Sequence, residues 1–395
     1  MHTVPAYERD VYLQELETEV AETGVEDGRP FAVLTDTILY PEGGGQPADR
    51  GSLGEIAILD VQRREGGIRH YLERPAQPGP VTVRLDWRRR FDHMQQHTGQ
   101  HLLTALAHDR FGWPTTAFHL GEQVCDIELD VPALAPIQIE MLEESAAEEI
   151  RAARPVTSRH ARPDDLERLG VRTRGLPAGH HGDVRLVEIA GIDLNTCGGT
   201  HVRSTAEIEA VKLLGTEFLR GGTRLFYIAG GRVRHRLASH EARSARLRSL
   251  LGTPDAEIVA AVEARLEAGR ATEKRIRALE EELAAAVAEA LATRPDRVVS
   301  VHLEGKDTAF LQRIAKRLTV TEKAALLTAS GTEGGFFVLV AGETVNLDVQ
   351  AAGRELAGIM GGRGGGSGRT FQGKVASLAD REAALHRLTS LVGGK

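Results

Sequence analysis

Apolar positions in the first 88 residues come in short runs broken by glycine and proline. Phe31-Ala32-Val33-Leu34, Glu55-Ile56-Ala57-Ile58-Leu59-Asp60-Val61 and Val81-Thr82-Val83-Arg84-Leu85 are the clearest. Short strands at regular spacing predict a small β-barrel over 1–88. From Asp86 the period lengthens. Met94, Leu102, Leu103 and Leu106 mark a helix that Asp92 is placed to cap. Phe118, Val124, Ile127 and Leu129 predict a strand over 117–131, and a helix rich in alanine and glutamate follows over 136–153. Further strands are predicted over 184–189, 208–214 and 223–229. Helices and strands interleaved in this way predict an α+β domain over 89–232.

Residues 233–293 read as a helical arm. Ile258, Val262, Leu266, Ile276, Leu279, Leu283, Val287 and Leu291 recur at spacings of three and four, and Thr253-Pro254-Asp255 interrupts the run. This stripe can pack on its own chain or form a homodimer seam; Gly269 and the irregular heptads disfavour a long coiled coil. Residues 294–395 predict an α/β domain, with strands over 297–303 and 336–340 and helices over 307–318, 347–359 and 380–392. One helix runs straight into Met360-Gly361-Gly362-Arg363-Gly364-Gly365-Gly366-Ser367-Gly368-Arg369. Such a stretch is either a flexible hairpin or a cradle of backbone N–H groups and arginines for phosphate or sugar. The fold class is therefore α+β: a small β-barrel, an α+β domain, a helical arm and a C-terminal α/β domain.

Composition narrows the function classes. The chain has 395 residues, 41% hydrophobic and 27% charged, as in soluble multidomain proteins. No apolar run reaches the roughly 18 residues of a membrane span, and residues 1–10 lack a basic-then-apolar signal pattern. Two cysteines, Cys125 and Cys197, cannot make a disulfide framework. These features predict a cytoplasmic protein. Net charge is −7, so only a local basic patch could serve a nucleic-acid partner. Seven of the 49 basic residues are lysine, a bias that base composition explains as well as phosphate binding does.

The chemistry concentrates in Cys197-Gly198-Gly199-Thr200-His201. A thiol and an imidazole four positions apart can close on one borderline metal ion such as Zn²⁺. Two ligands rarely suffice. His97 and His101, in His97-Thr98-Gly99-Gln100-His101, share one helix face at i and i+4 and can complete a Cys-His₃ set. Alone, that pair would more often be surface or core histidine. If all four bind, the site is closed and the zinc holds structure; an open site needs one ligand to yield to water or substrate. The sequence leaves both arrangements open. The helix lacks the glutamate of His-Glu-x-x-His, which disfavours a metallopeptidase. His180-His181 is read as loop, because adjacent side chains diverge. Tyr40-Pro41-Glu42-Gly43-Gly44-Gly45-Gln46 is either a mobile turn or a backbone that approaches another molecule closely.

Together, His97-Thr98-Gly99-Gln100-His101-Leu102-Leu103 and Asn195-Thr196-Cys197-Gly198-Gly199-Thr200-His201-Val202 resemble the editing domain of alanyl-tRNA synthetase. They resemble its free-standing AlaX relatives more closely. Residues 40–46 are similar to the glycine-rich motif of the preceding β-domain. The tail around Gly361–Gly366 resembles the synthetase's DHH-associated C-terminal domain, although no Asp-His-His phosphoesterase motif accompanies it. The domain order is that of the long form of AlaX.

That resemblance implies an aminoacyl-tRNA deacylase. Its metal site is His97, His101, Cys197 and His201 with zinc, and its substrate is tRNA(Ala) carrying serine, with glycine as a second candidate. Gly43, Gly44, Gly45, Gln46, Gly361, Gly362, Arg363, Gly364, Gly365, Gly366 and Arg369 are implied to meet substrate or tRNA. The resemblance sets His119 beside the pocket to position water or substrate, against the alternative of a half-exposed strand histidine. Thr98 and Gln96 are further candidates. Such an enzyme has a physical rationale. A pocket sized for alanine rejects one added hydroxyl by only about 10²-fold, whereas a second site that bonds the hydroxyl rejects alanine by about 10⁴-fold or more. The rival function is a non-catalytic RNA-binding protein with structural zinc.

Overall fold

The computed structural model describes residues 4–173, 175, 182–331 and 334–393. They fall into two compact units, Met1–Arg246 and Leu247–Lys395. The first unit opens with a four-residue helix, α1 (Ala6–Arg9), and a closed barrel. Its strands are β1 (Glu15–Glu26), β2 (Arg29–Leu34), β3 (Gly51–Leu53), β4 (Ile56–Arg64), β5 (Gly67–Leu72) and β6 (Gly79–Leu85), joined in the order β1-β2-β5-β4-β3-β6. Val20, Ala32, Ile58, Val61, Leu72 and Val83 fill the interior, a register shift between Ile58 and Asp60 letting both Ile58 and Val61 of β4 be buried. β1 was not foreseen: Val20 is its only buried residue, and backbone pairing to β2 and β6 holds it.

Helix α2 (Trp87–Phe111) follows the barrel directly. Its cap is Asp86, whose side chain accepts from the Arg89 N–H, and not Asp92. Asp92 lies inside the helix and pairs with Arg232 at 2.7 Å. The expected strand over 117–131 is a hairpin, β7 (Thr115–Leu120) and β8 (Cys125–Leu129), which turns where the run loses its apolar residues. α3 (Pro136–Arg151), β9 (Val156–Ala161), β10 (Val184–Ile189) and β11 (Asp193–Thr196) come next. The strand expected from residue 208 starts three residues later, after a 3₁₀ turn over Thr205–Ile208; it is β12 (Val211–Leu219), paired with β13 (Gly222–Ala229). Two antiparallel sheets result, β12-β13-β8-β7 and β11-β10-β9. Met94, Leu102, Leu103 and Leu106 of α2 pack with Ile127, Leu142, Val187, Ile189 and Tyr227 in one core. Helix α4 (Gly231–Leu251) leaves this unit.

In the second unit a turn over residues 252–257 precedes α5 (Ile258–Ala292), the break expected at Thr253-Pro254-Asp255. β14 (Val298–Glu304), α6 (Thr308–Leu318), β15 (Ala324–Gly331), β16 (Gly334–Ala341), α7 (Val349–Ile359), β17 (Gly362–Ser367), β18 (Thr370–Val375) and α8 (Arg381–Gly393) complete the chain. They form a five-stranded sheet, β14-β15-β16-β18-β17, with only β14 and β15 parallel. The glycine-rich tail is therefore a hairpin, with Gly362–Ser367 as the edge strand β17 laddered to β18. A Cβ on Gly364 would stand 2.1 Å from the Gln372 carbonyl oxygen, so glycine permits the close strand approach. Among the described residues no helix is long and apolar enough to cross a membrane.

Candidate metal centre and its cavity

From His93 to Leu103 every residue of α2 is buried, although most are polar. Burying polar groups costs free energy unless each finds a partner, and here the partners define a site. Gln95 bonds the Glu207 carbonyl and the Gly231 N–H. Gln96 donates to the Ala229 carbonyl at 2.9 Å and accepts from the Ala229 N–H at 2.8 Å, tying the helix to the end of β13. His97 and His101 lie one turn apart on the face toward the Cys197 turn. The turn after β11 brings Cys197 and His201 to them.

One ligand atom from each of His97, His101, Cys197 and His201 lies within 4.8 Å of all the others. The Cys197 Sγ is 3.5 Å from His97 Nε2 and 3.3 Å from His201 Nε2. Tetrahedral zinc, with Zn–S near 2.3 Å and Zn–N near 2.05 Å, requires an S···N separation of about 3.5 Å. The donor set and its spacing fit zinc. All three rings turn Nδ1 outward. His97 Nδ1 meets Gln46 Oε1 at 2.8 Å, His101 Nδ1 meets Asp193 Oδ2 at 2.9 Å, and His201 Nδ1 meets Thr98 Oγ1 at 3.1 Å. Bonds of this kind fix which ring nitrogen faces a metal and orient the ring.

The electrostatics favour a thiolate. Burial opposes it, but the neighbouring His97 and His201 rings and hydrogen bonds from His101 and His201 hold the Cys197 thiol well below its usual range. Burial also opposes charge on His101; the Asp193 carboxylate and the Cys197 sulfur outweigh it and raise His101 to about 10. Burial, then the His97 ring, depresses His201 to about 3.

The barrel takes part in this centre. The loop after β2 is pinned rather than mobile: Tyr40 donates its N–H to Asp49 at 2.7 Å, and Asp49 forms a fully buried pair with Arg90 of α2. Gln46 is fully buried. Besides meeting His97, its Oε1 accepts from the Thr200 N–H at 3.0 Å and its Nε2 donates to Thr200 Oγ1 at 2.9 Å. Gly199 shows why the motif needs a glycine there, because a Cβ would lie 2.2 Å from the His97 ring. Gly198 has open space around it.

Beside the four ligands lies a cavity of about 730 Å³, bordered by Gly44, Gly45, Gln100, Thr104, Thr115, Phe118 and Asn195 as well as His97, His101 and Cys197. His119 does not border it. Strand alternation puts Phe118 toward His97, with ring centroids 6.1 Å apart, while His119 is 58% exposed and bonded to Asp126. Thr98 holds His201 and the Val202 N–H rather than facing the cavity. His180 and His181 lie outside the described residues. In the second unit, Gly366 borders a separate cavity of about 560 Å³ with Gln312, Lys316 and Gln372. Arg363 is exposed. The Arg369 guanidinium is spent on the carbonyls of Ala341, Gly342 and Val345. Asp193, the partner of His101, was not foreseen, and no local signal marks it.

Comparison with known proteins agrees with this geometry. Residues 184–227, which include Cys197 and His201, match the family described as Threonyl and Alanyl tRNA synthetase second additional domain. The chain is similar to the alanyl-tRNA editing protein Aarsd1 of Rattus norvegicus, 39% identical over 353 residues, 88% of this chain and 85% of that protein. With Aarsd1 of Mus musculus it shares 37% over 402 residues, 98% and 97% of the two chains. With the alanyl-tRNA editing protein AlaX-L of Pyrococcus horikoshii it shares 27% over 405 residues, 97% and 98%. Identity at this level over nearly the full length, around a complete four-ligand cluster, shows that the chain belongs to the alanyl-tRNA editing protein family.

Proposed function

We propose that this protein is a deacylase that hydrolyses the ester joining serine, and less efficiently glycine, to tRNA(Ala), using a zinc ion held by His97, His101, Cys197 and His201. The supporting observation is the convergence of these four ligand atoms beside a cavity large enough for an aminoacyl group, which His97, His101 and Cys197 border. When bound, zinc supplies a positive point that attracts the amino and carbonyl groups of the substrate. Four protein ligands would close the site, so zinc would meet water or substrate only where one of them yields its place. The chain does the rest. Gln46, Asp193 and Thr98 fix the ligand rings, and Gly44 and Gly45 let backbone line the cavity without side chains.

The test offers Ser-tRNA(Ala) and Ala-tRNA(Ala) separately to zinc-loaded wild type and to Cys197→Ala. Loss of the seryl ester with wild type alone is expected. Retention of that ester by wild type would overturn the deacylase in favour of an RNA-binding protein with structural zinc.

The second unit supports two further proposals. Exposed Arg363, on the edge strand β17, is proposed to meet tRNA phosphate; Arg363→Glu should weaken tRNA binding. Val259, Leu266, Ile276 and Leu279 stand 46–70% exposed along α5 and support a homodimer through the helical arm. A monomeric mass by sedimentation at high concentration would refute it. The domain limits 1–88, 89–232, 233–293 and 294–395 are proposed with these roles, in a cytoplasmic protein.

A further inference from the structure

The first turns of α2, the β7–β8 turn and the first half of α4 enclose two adjoining cavities of about 570 and 770 Å³. Glu122, Arg232 and His235 border both, so the two form one groove. In a chain of net charge −7, this groove gathers six arginines against three carboxylates, those of Asp86, Asp92 and Glu122. Three of the arginines are occupied. Arg232 pairs with Asp92 at 2.7 Å and donates to the Gly121 carbonyl at 2.8 Å, Arg234 pairs with Glu209 at 2.8 Å, and Arg89 donates to the Ala48 carbonyl at 3.0 Å. The other three are Arg88, Arg236 and Arg243. They are exposed, and among the described residues their guanidinium groups make no hydrogen bond or ion pair.

Arg232, Arg236, Ser239 and Arg243 follow one another at intervals of four, three and four, which puts them on one face of α4. At 1.5 Å per residue the stripe is about 16 Å long. A single phosphate or carboxylate cannot reach from one end to the other, whereas a chain of anions can. Unpaired guanidinium forks match phosphate oxygens in geometry as well as charge. The groove also shares its walls with the cavity beside the candidate metal ligands. The loop after β2 borders that cavity with Gly44 and Gly45 and holds Arg89 through Ala48. The β7–β8 hairpin borders it with Phe118 and borders the groove with Glu122. We infer that this groove is a docking surface for the phosphodiester backbone of the tRNA, with Arg88, Arg236 and Arg243 as its phosphate contacts. The inference rests on the reading of tRNA as substrate and adds a place for the RNA that lies outside the acylated end.

The experiment measures Kd for uncharged, fluorescently labelled tRNA(Ala) by anisotropy over a series of KCl concentrations. It compares full-length wild type with Arg236→Ala/Arg243→Ala and with Arg64→Ala/Arg84→Ala, a pair on barrel strands that removes the same charge. Alanine suits a helix, and an unchanged unfolding temperature confirms that each variant folds. Loss of two phosphate contacts should lower the slope of log Kd against log[KCl] by about 1.4 to 1.8 and raise Kd about tenfold or more at 0.1 M salt. The barrel pair should keep the wild-type slope. An unchanged slope and Kd in the α4 pair would overturn the assignment, and so would an equal fall in the barrel pair, which marks a general field. Loss of labelled poly-glutamate binding by the α4 pair, with tRNA binding intact, would give the groove to acidic peptides instead. Seryl-ester cleavage is read separately: its absence from wild type overturns the deacylase, while the Kd of the α4 pair still decides the groove. A wild type that does not bind tRNA overturns both.

Discussion

Replacing Gln46 by leucine tests whether the barrel loop belongs to the metal centre. Leucine fills most of the volume but removes three hydrogen bonds, to His97 Nδ1, the Thr200 N–H and Thr200 Oγ1. The Thr200 hydroxyl loses only a group that donates to it, whereas the His97 Nδ1–H and the Thr200 N–H lose their acceptor. Each buried donor left unpaired costs about 1–3 kcal/mol, so the protein should lose about 2–6 kcal/mol of stability. Freed from its acceptor, His97 no longer presents Nε2 in a fixed orientation. Loss of such a supporting bond typically costs 10- to 100-fold in metal affinity. The assay titrates zinc against a chromophoric chelator and follows thermal unfolding of loaded and stripped protein. Gln46→Glu serves as control, because a carboxylate still accepts from His97 and Thr200 N–H and the Thr200 hydroxyl can turn to donate. A folded Gln46→Leu protein with wild-type zinc affinity would refute the reasoning.

Gly199→Ala should abolish stoichiometric zinc binding, because its Cβ would lie inside contact distance of the His97 ring, while Gly198→Ala should bind a full equivalent; metal analysis of the purified proteins decides. His119→Ala should change seryl-ester turnover by less than about twofold, since His119 faces Asp126 rather than the cavity, and a loss of 100-fold would restore it as a catalytic candidate. Burial pushes His70, inside the barrel, down to about 4. Its contribution to stability is complete above the unfolded value of 6.5 and is lost as pH falls from about 6.5 to 4, because the unfolded chain takes up the proton first. The difference is worth up to about 3 kcal/mol. Thermal unfolding at pH 7.5 and 5 should show a larger drop for wild type than for His70→Gln, and equal drops would refute it.

The four candidate ligands were legible because their spacing is local: His97 and His101 share a helix face, and Cys197 and His201 bracket a three-residue turn. The barrel, the α+β layer and the broken helical arm were legible from period and punctuation. Strands such as β1, which bury one side chain and are held by backbone pairing, left no such signal. The polarity of α2 likewise gave no sign of its burial, since a buried polar helix and a surface helix look alike until the partners are known. Long-range pairing decided the rest. Gln46 reaches the centre across 51 residues and Asp193 across 92, and neither separation leaves a trace in local sequence. Strand alternation exchanged His119 for Phe118 at the cavity, and edge pairing with β18 made the glycine tail a strand. Composition and spacing determined which atoms could bind a metal. Only the tertiary structure decided which way each ring turns and which arginines stay unpaired, because both depend on what the fold brings alongside.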